Sequence, residues 1–251
     1  MQRTRLPILA NNPNLIAGIY NYCDRWCERC PLTSRCLVYA TEQNDTDSPE
    51  NHDNRNAEFW RLFTETLTDV RALIPEWAKE ALDPNQHADK QNDRRQRRAI
   101  DNHPLAKAGK HYANATSEWF HELDQPIASR SATDEPRVYE DARGVIEWYQ
   151  YQIAVKTMRA LSSRNEEDSE DTNLPKDSDG SAKVALIGID RSIAAWRLMQ
   201  LSLPDRAQSI VPLILQLDRL HKNLQENFPG AQNFTRPGFD EPKLRSDAIR
   251  P

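Results

Sequence analysis

Glycine is scarce in this 251-residue chain. The seven glycines, at positions 18, 109, 144, 180, 188, 230 and 238, form no GxGxxG or GxxxxGK[ST] arrangement, which argues against dinucleotide and P-loop phosphate sites. Long apolar runs are missing too, and no stretch approaches the roughly 20 apolar residues that cross a bilayer. The opening MQRTRLPILANNPN has a basic start but only four apolar residues, broken by Pro7, and so lacks the apolar core of a signal peptide. These features predict no membrane association and a cytoplasmic location, where thiols stay reduced.

A surplus of positive charge is also absent. The formal net charge of -5 provides no broad positive field for polyanions, so nucleic acid is not expected; charge alone assigns no partner class, and the expected partner is a protein. The only dense basic run, Arg94, Arg95, Arg97 and Arg98, is of a kind that can grip phosphates or an acidic partner, but it reads as a solvated connection without interleaved aromatics. The six histidines form no HExxH, and no GxSxG is present. No nucleophile and base can be paired from spacing, so nothing in the sequence assigns an enzymatic activity.

What the chain does have is helical periodicity. Five segments carry it: about 57–82, 105–123, 137–161, 181–201 and 205–228. In the first, Phe59, Phe63, Leu67, Val70, Ile74 and Trp77 form one stripe, with Glu58, Glu65, Asp69 and Glu76 opposite. The fourth is apolar around much of its circumference, as suits a bundle centre. Polar connections join the segments at 41–56, 83–103, 125–136 and 164–180. The expected architecture is all-α: a cysteine-rich metal-binding module over 1–45, a bundle of about five helices over 57–228, and an extended tail over 229–251. Phe234 and Phe239 of that tail are expected to dock on the bundle.

All four cysteines fall within fourteen residues, Cys23, Cys27, Cys30 and Cys36, spaced C-x3-C-x2-C-x5-C. Were residues 14–30 helical, the first three would project within about 60° of arc, with Pro31 ending the helix. Four thiolates suit a [4Fe-4S] cluster or tetrahedral zinc. Structural zinc sites favour two separated C-x2-C pairs on tight turns, whereas this segment has one such pair and no glycine. Arg25, Arg29 and Arg35 outnumber Asp24 and Glu28, which would offset the charge of a thiolate-bound cluster. The expectation is therefore an iron-sulfur cluster, with zinc as the alternative.

The first three cysteines match the C-x3-C-x2-C of radical SAM enzymes, but Arg29 replaces the usual aromatic, Cys36 would fill the open iron, and the chain is helical rather than barrel-forming. The stretch CERCPLTSRCLVYA, Cys27 to Ala40, resembles the C-x2-C-x5-C segment of WhiB-like iron-sulfur regulators. That resemblance implies a [4Fe-4S] cluster with Cys27, Cys30 and Cys36 as ligands. It covers fourteen residues only. The family's further cysteine lies much farther upstream than Cys23, and its Gly-Trp-Gly-Gly turn is missing, so regulation of transcription does not carry over.

Two other constellations bear on chemistry. Glu118 with His121 and Asp218 with His221 have the i, i+3 spacing of diiron sites, but Glu118, His121 and Glu147 fall opposite their apolar faces and are expected in solvent. His221 falls on an inward face. With Asp190 and Arg197 it forms a candidate polar pocket.

Overall fold

The computed structural model describes residues 6–44, 57–74, 90–124, 137–167 and 176–240. Among them are eight α-helices and no strand: α1 Leu6–Ala10, α2 Leu37–Asn44, α3 Ala57–Leu73, α4 Lys90–Asn102, α5 Pro104–Leu123, α6 Arg137–Glu167, α7 Asp177–Ser202 and α8 Ala207–Asn227. The all-α expectation holds. The chain divides into two compact units, Met1–Lys90 with Arg236–Pro251, and Gln91–Thr235.

The second unit is built from α5 to α8, where periodicity was strongest. Neighbours in sequence pack on one another, α5 on α6, α6 on α7 and α7 on α8, and α5 also meets α8. At the centre Trp196 of α7 is fully buried. It stacks on Phe120 at 5.6 Å between centroids and meets Trp119 edge-on at 5.0 Å. Its Nε1 donates to the buried Tyr112 hydroxyl at 3.0 Å, and Trp119 Nε1 donates to Ser209 Oγ at 2.8 Å. Both indoles thus bury large apolar surfaces without stranding their N–H groups. Val138 and Leu198 are exposed on these helices.

Several boundaries differ from expectation for local reasons. Helix α7 begins at Asp177 rather than Ser181, because the Asp177 carboxylate accepts from Ser163 Oγ at 2.6 Å and from Arg159 at 3.1 Å. That pair extends α6 and α7 together beyond their apolar stripes. A 3-10 turn, Pro204–Arg206, precedes α8. Helix α5 is capped by His103, whose Nδ1 accepts the Leu105 N–H at 3.2 Å, with Pro104 in its first turn. Among the residues described after α8, 229–233 and 237–240 form turns, and the rest of the expected extended tail lies outside the described residues. Phe228, Ala231 and Phe234 are buried in the second unit, and Lys183 Nζ donates to the Phe234 carbonyl.

Helix α3 corrects a clear expectation. It belongs to the first unit, and its stripe faces outward: Phe63, Leu67 and Val70 are 45%, 46% and 42% exposed, while Asp69 is 8% exposed. The burial of Asp69 follows from a partner, since its Oδ2 accepts the Leu6 N–H at the start of α1 at 3.2 Å. The helix stops at Leu73, ahead of Pro75, which disfavours helical backbone in the residue before it. Trp77 lies outside the described residues. The basic run is also reassigned, because Arg94 to Arg98 lie in helix α4 and not in a connection.

Candidate metal centre

The cysteines do not lie on one helix, as their spacing suggested. Gly18 adopts a left-handed φ of 71° and Arg25 one of 57°, and neither can continue a right-handed helix. Asp24 reinforces the break by accepting the Trp26 N–H at 3.2 Å, the side-chain turn typical of Asp. The segment becomes three 3-10 turns, Ile19–Tyr22, Cys27–Arg29 and Thr33–Arg35, each followed by a cysteine in extended conformation: Cys23, Cys30 and Cys36. Cys27 opens the middle turn, and its carbonyl accepts the Cys30 N–H at 3.2 Å.

Turns bring the thiols together where the helix was expected to. All four cysteines line one recess, whose other walls include Ile19, Tyr20, Trp26, Tyr39 and Phe239. Its empty space, open solvent at the mouth included, is about 310 Å³. None of the four thiols is in a disulfide, and all are partly exposed. Among the described residues no three Cys, His, Asp or Glu side chains stand at distances that hold a metal ion.

Backbone groups meet two of the four sulfurs. Leu32 N–H donates to Cys30 Sγ at 3.4 Å, and such bonds stabilise a sulfur that carries negative charge. The Cys23 thiol donates to the Tyr20 carbonyl at 3.4 Å. Cys36 immediately precedes α2. Burial pushes the Cys27 thiol up, and so do the charges of Glu42, Cys23 and Cys36, while Arg25 opposes them.

The surround is fixed by few contacts. Arg25 pairs with Glu42 of α2 at 2.8 Å, Ile16 N–H donates to the Arg35 carbonyl at 2.9 Å, and Arg29 lies 4.2 Å over Trp26. Phe239 is delivered by a tight turn in which Arg236 pairs with Asp240 at 2.9 Å. Gly238 in that turn has a φ of 74°, and a Cβ there would stand 2.6 Å from Ile16 Cδ1. Phe239 therefore serves the cysteine recess rather than the bundle. The sequence signal for it was the Pro-Gly-Phe of the tail.

The candidate polar pocket is only partly assembled. His221 Nε2 lies 3.3 Å from Asp190 Oδ1, but the Asp190 side chain is 66% exposed against 23% for His221. Arg197 is exposed and pairs with no described residue. Glu118, His121 and Glu147 are exposed, in line with their wheel positions.

Comparison with protein-family models, with curated proteins and with solved structures finds no match. The geometry of the cysteine unit therefore carries the functional argument alone.

Proposed function

We propose that the first unit is a cysteine-ligated metal module, with Cys23, Cys27, Cys30 and Cys36 as ligands and a [4Fe-4S] cluster as the bound group. Its role would lie in redox sensing, electron transfer or recruitment of a protein partner. The observation that carries the reading is that every cysteine of the chain lines one small recess. The donor set fits, since four thiols can supply the four ligands of such a cluster. When bound, the group would supply one-electron chemistry. The chain's own residues would set its surroundings: Leu32 stabilises charge on Cys30, the flanking arginines offset the cluster's charge, and Trp26, Tyr39 and Phe239 limit water.

A second reading, a zinc-stapled interaction or scaffold protein without catalysis, is favoured by the Cys27–Cys30 turn. The helical face that argued for a cluster is gone, and a C-x2-C on a tight turn is a common zinc arrangement. Spacing still favours the cluster, because Cys23 and Cys36 do not form a second C-x2-C pair. Anaerobic purification followed by iron, sulfide and zinc analysis separates the two. A cluster shows a broad visible absorption that bleaches on reduction. Stoichiometric zinc without iron or sulfide selects the second reading and overturns the first.

A further inference from the structure

Helix α4 presents Arg94, Arg95, Arg97 and Arg98 in two turns. All four are exposed, and none pairs with a described residue. On a helical wheel Arg94, Arg97 and Arg98 fall within about 100° of arc, and Arg95 widens the face to about 160°. Arg94 and Arg98 stand four apart and Arg95 and Arg98 three apart, so like charges face one another along the surface and weaken the helix. Nothing in its described apolar content offsets this, for Ile100 is its sole large aliphatic residue. Instead the helix is tethered at one end, where Asp101 pairs with Lys110 of α5 at 2.8 Å. Such a helix is stabilised by an anion with several regularly spaced charges.

We infer that α4 is a contact surface for the phosphate backbone of a double-stranded nucleic acid. The net charge of -5 provides no broad positive field, so the contact rests on the positive charge concentrated on this helix. A helix concentrates the four guanidinium groups, and arginine's planar fork matches phosphate oxygens in pairs. The arginine face has no aromatic or aliphatic anchor of the kind found at the centre of protein interfaces. Aromatic platforms for single strands are absent from it as well. A helix of this diameter enters the major groove, where the guanidinium groups reach phosphate oxygens, the part of such a contact that does not depend on sequence. This inference does not depend on what the cysteines bind.

The test is fluorescence anisotropy of a labelled random-sequence DNA duplex titrated with the full-length protein over a range of salt. Four neutralised phosphates at about 0.9 each predict a slope of log K against log salt of about -3.6. Replacing all four arginines by glutamine, which keeps helix propensity, should lower low-salt affinity by at least about tenfold, and Arg94→Gln alone should reduce the slope by about 0.9. Unchanged helical circular dichroism in the variants establishes that loss of binding is not loss of fold. The inference is overturned if the unaltered protein does not bind duplex at low salt, or if the fourfold variant binds with the same affinity and slope. It is equally overturned if polyglutamate of matched charge binds as tightly as duplex, which would assign the face to an acidic protein.

Discussion

The backbone N–H of Leu32 points at Cys30 Sγ across Pro31, at 3.4 Å. Proline fixes the turn and leaves the next amide free to meet the sulfur. Leu32→Pro removes this donor while leaving all four cysteines in place. Metal affinity, measured by competition with a chelator, should fall by about tenfold to a hundredfold, the usual effect of losing a partner to a ligand. Unaltered affinity would show that the amide does not support the site.

The turn that carries Phe239 to the recess depends on Gly238. Alanine there meets both a left-handed φ and the Ile16 side chain, at a cost of about 1–2 kcal/mol for the backbone alone. Metal-free Gly238→Ala protein should react faster with a thiol reagent than unaltered metal-free protein, because the aromatic wall is displaced. Equal rates would separate the turn from the cysteines.

In the second unit Trp196 and Tyr112 form a buried hydrogen bond inside an aromatic cluster. Tyr112→Phe leaves the indole N–H without its acceptor and should cost about 1–3 kcal/mol. Trp196→Ala should cost more, about 3–5 kcal/mol, since it also opens a cavity. Urea unfolding midpoints give both values, and a reversed order would contradict the account of this core.

The clearest parts of the fold in the sequence were those whose periodic faces meet each other. Trp119, Tyr149, Ile189 and Leu217 are all buried in the helices their spacing predicts. Helix α4 was illegible because it has no apolar period to find. Helix α3 was legible as a helix but not in its orientation, since a stripe such as Phe63, Leu67 and Val70 identifies an apolar face without saying what covers it. The cysteine segment was legible as a cluster of four thiols and misread as a conformation. Gly18, and Asp24 preceding a residue with positive φ, were the local signals against a helix.

His103 couples stability of the bundle to pH. Burial, and to a smaller degree the charge of Arg164, hold it below the ordinary histidine range, and its unprotonated Nδ1 caps α5. The unfolded chain binds this proton more readily than the folded one. The stabilisation is therefore complete above the unfolded value of about 6.5 and is lost as pH falls through it toward the lower folded value. Thermal unfolding at about pH 7.5 and about pH 5 should show a larger drop in the unaltered protein than in His103→Asn, which keeps a capping acceptor but does not titrate. Identical drops would remove His103 from the pH response.

The account rests on the four thiols acting as one ligand set, and native metal content measured together with thiol reactivity tests this most directly. Full-length protein purified without oxygen should carry iron and labile sulfide in equal amounts, with its cysteines protected until the metal is removed, and Cys27→Ser should lose the metal. Protein that contains no metal, and whose four cysteines react freely in the native state, would contradict the account.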